Sequence, residues 1–96
     1  MNTMDEVSAL MRANLPKGVS SKAFGEVMQW GRGSASARAR MATLTADELR
    51  AAGITAEMAE NWAAAYQAVV RLTPRNPSAA GRVDLMQLAA RLLRGA

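Results

Sequence analysis

Apolar residues recur along this chain at intervals of three and four, and no stretch alternates apolar with polar residues. That period is helical, and the lack of β-branched alternation argues against strands. Val7, Leu10, Met11 and Leu15 form the first stripe, on a helix predicted from about Met4 to Asn14. Thr3 and Glu6 are spaced as a capping box at its start. Pro16 and Gly18 then break the chain, because the residue before a proline is pushed out of the α region.

A second helix is expected from Ser20 or Ser21, with Phe24, Val27 and Met28 facing inward. With Ser20 as N-cap, Val19 and Phe24 are placed as a hydrophobic staple, and Gly31 is the expected left-handed C-cap. The third helix is predicted over Ala35 to Thr43, capped by Ser34 and marked by Ala37, Met41 and Leu44. Thr45 and Glu48 make another capping box, Leu44 and Leu49 another staple, and Gly53 ends the fourth helix. Thr55 caps the fifth and longest, which carries Met58, Trp62, Ala65, Tyr66, Val69 and Leu72 along one side. Glu57 and Glu60 near its start and Arg71 near its end match the helix dipole.

For the last helix, Asn76 is the expected cap and Pro77 the first helical residue. Asp84, Gln87, Arg91 and Arg94 form a narrow polar stripe, and Val83, Leu85, Met86, Leu88, Ala89, Leu92 and Leu93 fill the rest of its surface. So broad an apolar surface belongs either at the centre of a bundle or against a partner. The pattern as a whole predicts an all-α, compact single-domain bundle of five to six short helices over residues 1–96. Residues 20–94 form its expected core, and the helix within 1–17 is expected at its periphery.

Composition sharpens this picture in two ways. Half of the chain is hydrophobic (50%), but aromatics are only 4%, so alanine-faced helices must pack closely around Phe24, Trp30, Trp62 and Tyr66. There is neither cysteine nor histidine, which removes disulfides, thiol nucleophiles, Cys/His zinc sites and histidine-based triads. No cofactor is expected. The net charge of +4 is a mild bias toward anionic partners, which an arginine-rich coding background explains equally well. No apolar run approaches the ~20 residues that span a bilayer. Asp5 and Glu6 stand where a secretory signal would be basic, so a cytoplasmic location is expected, signal-independent export being the other route.

Candidate chemistry concentrates in the stretch from Gln29 to Met41, QWGRGSASARARM. Its glycines and Arg32, Arg38 and Arg40 can hold an anion at a helix N-terminus, or simply join two helices with the arginines solvated. Residues 45–69 have the outline of a helix-turn-helix, but Glu57 and Glu60 stand where a recognition helix would meet phosphates. Glu26 near Trp30 has the look of an acid in an apolar pocket. The carboxylates that could assist it mostly have capping or dipole roles, so no enzymatic activity is expected. Gly81 inside the last helix costs roughly 1 kcal/mol relative to alanine, which calls for a close neighbour, with Trp30 or Trp62 as the expected occupant.

Much of the chain resembles a small bacterial α-helical family associated with polymorphic toxins, secreted effectors and mobile elements. The resemblance covers residues 23–93 and rests on Phe24, Trp30, Gly31, Gly33, Gly53, Trp62, Tyr66, Asn76, Pro77, Ser78, Gly81 and Met86. It implies a setting in interbacterial competition or phage biology and brings no catalytic residues.

These readings converge on a non-enzymatic protein-binding module: an adaptor, an immunity-like inhibitor or an accessory domain. Arg32, Arg38, Arg40, Arg82, Gln87, Arg91 and Arg94 are its candidate partner-binding residues, since arginines and apolar residues lie together there. The rival is a nucleic-acid-binding module using the Arg32, Arg38 and Arg40 region with Arg75 and Arg82, or the helix-turn-helix at 45–69. A homodimer through the outer side of the last helix is a third expectation.

Overall fold

A computed structural model describes residues 1–95. They form six helices: α1 (Met4–Ala13), α2 (Ser21–Met28), α3 (Ser34–Arg40), α4 (Ala46–Ala51), α5 (Ala56–Leu72) and α6 (Ala79–Arg94), with no strand among the described residues. The all-α bundle expected from the periodicity is the fold observed.

The two long helices α5 and α6 pack against each other most extensively, as an antiparallel hairpin. Glu60, near the start of α5, accordingly meets Arg94 at the end of α6. Helices α3 and α4 lie against α6, and α1 lies against α5. The fifth helix buries Ala59, Trp62, Ala63, Ala65, Tyr66, Ala68 and Val69, so alanine lets its neighbours approach while the two aromatics fill the centre. The sixth buries Val83, Leu85, Met86, Ala89 and Ala90 and half-buries Leu88, Leu92 and Leu93. Much of its broad apolar surface is therefore central in the bundle, packed against α3, α4 and α5.

The helix starts follow the capping chemistry of the sequence. Backbone N–H groups of Glu6, Ala23, Glu48 and Met58 donate to the hydroxyls of Thr3, Ser20, Thr45 and Thr55. Four of the expected boundaries shift, each for a local reason. The left-handed C-cap of α2 is Gln29 (φ 53°) rather than Gly31, because the chain must reverse at once for Trp30 to fold back into the core. Helix α3 begins at Ser34 with Gly33 as its N-cap, and it ends at Arg40 in a turn over 41–43 rather than running to Thr43. The Ser34 hydroxyl does not cap its own helix; it donates to the Pro77 carbonyl and accepts from the Gly81 N–H. Helix α6 begins at Ala79, two residues later than expected. Asn76 still caps the end, its Oδ1 accepting from the N–H groups of Ser78 and Ala79.

Gly81 has a close neighbour, but it is the backbone of Ser34 and not a tryptophan. The first helix is joined firmly to the bundle. Val7 is fully buried, the Trp62 Nε1–H donates to the Asn14 carbonyl at 2.9 Å, and Asn61 Nδ2 donates to Asn14 Oδ1 at 2.8 Å. The stretch 1–17 therefore contributes to the same core as residues 20–94. Helix α4 docks on α6. No helix among the described residues is long and apolar enough to cross a membrane.

Candidate functional site

Trp30, just beyond α2, and Trp62 and Tyr66, one turn apart on α5, gather at the middle of the molecule with Phe24. Phe24 stacks on Trp62 at 4.4 Å between ring centroids, and Trp30 meets Tyr66 edge-on at 5.5 Å. Edge-to-face and offset stacks match the aromatic quadrupoles, so these rings form a fixed cluster. Gly25 makes the approach of Trp30 possible, since a Cβ there would lie 2.9 Å from Trp30 Nε1.

The outer edges of three of these rings line an open cleft of about 620 Å³. Met11, Gly25, Gly31 and the aromatics supply its apolar surface, and Lys22, Glu26, Arg32 and Arg82 its charges. Arg82 reaches it from α6. Its guanidinium lies 4.6 Å over the Trp30 ring and 5.5 Å from the Tyr66 ring, a cation–π arrangement with both. Nη1 donates to the Tyr66 hydroxyl at 3.0 Å and Nη2 to the Gly31 carbonyl at 2.7 Å, while Nε is buried and has no partner. The group is thus held in one orientation by contacts that neutralise none of its charge.

The other candidate arginines divide sharply. Arg40 is buried: its Nε donates to the Met28 carbonyl, its Nη1 to Thr43, and its Nη2 pairs with Glu48. The expectation that it is solvated and open to a partner is therefore corrected; it ties the end of α2 to α3 and α4. Arg38 is exposed but paired with Asp84 at 2.9 Å, and Arg94 is paired with Glu60 through Nε at 2.7 Å. Gln87 and Arg91 line a separate groove of about 310 Å³ with Glu60, Ala63, Ala64, Gln67 and Ala90 between α5 and α6. Arg32 lines the cleft and Arg75 lies exposed in the loop before α6, neither in an ion pair among the described residues. Of the seven candidate partner-binding residues, Arg32 and Arg82 share the cleft and Gln87 and Arg91 share the groove between α5 and α6, while Arg38, Arg40 and Arg94 line neither of the two.

Sequence reasoning set Glu26 beside Trp30 in an apolar pocket, and both line the cleft, but it missed that Lys22 and Tyr66 belong there too. The one available signal was the spacing of Lys22 and Glu26, four apart on α2, one turn before Trp30. Glu26 is the sole carboxylate lining the cleft among the described residues, so no second acid stands beside it for two-carboxylate chemistry. No group of three or more Asp or Glu residues that could hold a metal ion occurs among the described residues.

Fold and site together define a small all-α domain with a rigid aromatic centre, opened at one side into a cationic cleft. The chain belongs to the family described as Domain of unknown function (DUF4951), whose model matches residues 2–93. The matched span takes in all of α1 along with the five helices that follow, up to the last residues of α6. No curated protein and no solved structure matches the chain.

Proposed function

We propose that this protein is a non-enzymatic protein-binding module, in the manner of an adaptor, an immunity-like inhibitor or an accessory domain, and that it receives an acidic segment of its partner in the cleft between α2, α5 and α6. The observation that carries this reading is the composition of the cleft: an apolar, aromatic floor rimmed by Lys22, Arg32 and Arg82 against the single acid Glu26. An apolar centre with a charged rim is the anatomy of a protein interface, and the excess of cations favours an acidic ligand.

The nucleic-acid alternative has weaker support. Trp30, Trp62 and Tyr66 are only 7%, 2% and 8% exposed, so they offer edges and no open face for a base to stack upon. Arg38 and Arg40, two of the five arginines that reading needs, are held by Asp84 and Glu48. A cytoplasmic location and the bacterial-competition setting implied by the resemblance are part of the same proposal.

The test is site-specific photocrosslinking. A benzophenone amino acid at position 22, on the rim, should yield a crosslinked protein in cells, and the same group at position 75, outside the cleft, should not. A crosslink to nucleic acid from position 22, or equal protein products from both positions, would overturn the proposal. Retention on random-sequence DNA that collapses between low salt and about 0.3 M would point to phosphate contacts and to the alternative.

A further inference from the structure

The cleft contains one corner whose donors are held in place and only partly used. Arg82 is clamped between Trp30 and Tyr66, with one N–H of Nη1 and one of Nη2 used internally. Each of these nitrogens carries a second hydrogen. The Tyr66 hydroxyl accepts from Arg82, and its own hydrogen has no acceptor among the described residues. The two indole N–H groups of the chain differ in the same way. That of Trp62 is bound to the Asn14 carbonyl, whereas that of Trp30, at the cleft wall beside Gly25, makes no hydrogen bond among the described residues. A guanidinium, a phenol and an indole thus present donors at a cleft whose floor is apolar.

We infer that this corner is a seat for a single carboxylate, the side chain of a glutamate or aspartate flanked by apolar residues in the partner segment; the inference rests on the protein-binding reading above. The chemistry selects a carboxylate over a phosphate. The Gly31 carbonyl and the Tyr66 oxygen already accept from Arg82, so the hydrogen-bonding capacity left over at this corner is mainly that of donors, which calls for an acceptor, and a planar carboxylate suits a guanidinium. Glu26 lines the same cleft, and its charge repels a dianion about twice as strongly as a monoanion. The apolar floor has no partner to offer the remaining phosphate oxygens, but it suits the aliphatic side chains beside an acidic residue. Arg82 is positioned before any ligand arrives, so binding does not spend its side-chain entropy.

The chain has two tryptophans, and so two indole N–H signals in a proton–nitrogen correlation spectrum. The probes are two capped peptides, acetyl-Leu-Glu-Leu-amide and acetyl-Leu-Gln-Leu-amide, with inorganic phosphate as a third ligand. The glutamate peptide should move the Trp30 indole signal in a saturable way and leave that of Trp62 in place. The glutamine peptide should bind about tenfold more weakly, the usual worth of a hydrogen bond to a charged group. Arg82→Lys keeps the charge but loses the fork and should also weaken the glutamate peptide about tenfold. Lys22→Gln, on the exposed rim, should cost no more than a few-fold.

Equal affinity for the two peptides, no loss in Arg82→Lys while that variant still shows the wild-type spectrum, or tighter binding of phosphate than of the glutamate peptide would overturn the carboxylate seat. Should Arg82→Lys fail to fold, the comparison of peptides on the wild-type chain decides alone. Any of these failures would leave the photocrosslinking result untouched, so the seat and the broader reading fall separately.

Discussion

The backbone of Gly81 on α6 rests directly against the backbone of Ser34 at the start of α3. A Cβ at position 81 would lie 2.5 Å from Ser34 Cα and nearer still to the Ser34 carbonyl oxygen. The contact is also bonded: the Gly81 N–H donates to Ser34 Oγ at 2.9 Å, and the Ser34 N–H donates to the Pro77 carbonyl at 2.9 Å. The neighbouring Gly33 N–H donates to Ser78 Oγ at 2.8 Å, so the two helix starts are laced together. Gly81→Ala should therefore destabilise the fold although alanine is the better helix former. Backbone atoms cannot move aside as a side chain can, so overpacking should outweigh the ~1 kcal/mol gained in propensity and leave a net loss of about 2 kcal/mol. Urea denaturation checks it, and a variant as stable as the parent would mean that α3 can slide away from α6 at little cost.

The same contact shows how far the sequence could be read. A glycine early in a helix signals that something approaches closely, and that much was legible at position 81. What approaches was not, because it depends on how α3 crosses α6, and nothing in the local pattern of either helix encodes that crossing. Capping residues were legible for a related reason. Thr3, Ser20, Thr45 and Thr55 act on N–H groups three residues away, so their chemistry is local. The arginines were not. Arg38 and Arg40 look alike in sequence, yet one lies in solvent beside Asp84 and the other is buried on Met28, Thr43 and Glu48. The cleft was legible only in part, since Arg82 joins Arg32 and Trp30 through tertiary packing alone.

Gln29 offers a stabilising substitution. It holds φ 53° and ψ 37°, the left-handed conformation that costs a residue with a Cβ about 1–2 kcal/mol. Its side chain is exposed, so little packing is lost on truncation. Gln29→Gly should raise stability by about 1 kcal/mol, part of the relief being offset by the greater freedom of glycine in the unfolded chain. A rise in the urea midpoint at unchanged slope is the expected result. A fall would show that the Gln29 side chain makes a contribution that its exposure hides.

Arg38 and Arg40 form an internal control for each other. Arg40→Ala removes a buried guanidinium, leaving the Met28 carbonyl without its donor and Glu48 without its cation, though Glu48 keeps the Thr45 hydroxyl. That should cost roughly 3 kcal/mol, the usual consequence of orphaning buried polar groups. Arg38→Ala removes an exposed pair and should cost less than about 1 kcal/mol, diminishing further in high salt. Thermal unfolding of the two variants side by side separates them. Similar losses from both would mean that Arg40 is not held as the structure has it.

Glu6 sets an acid limit on the first turn of α1. Its carboxylate accepts from the Asn2 backbone N–H at 3.3 Å and the Thr3 hydroxyl at 3.1 Å, and these bonds hold its pKa below the ordinary carboxylate value. Both bonds favour the charged form, so the folded chain binds the proton less readily than the unfolded one. The contribution to stability is then complete above the unfolded-state pKa and disappears as pH falls through the lowered folded-state value. A carbon-detected titration of the side-chain carboxyl should give a Glu6 midpoint below the ordinary glutamate value. Thr3→Ala should return it toward the ordinary value, since it removes the hydroxyl donor, and amide exchange at Val7 and Ser8 should quicken in the same acid range. A Glu6 midpoint at the ordinary value in the parent chain would show that the capping box does not persist in solution.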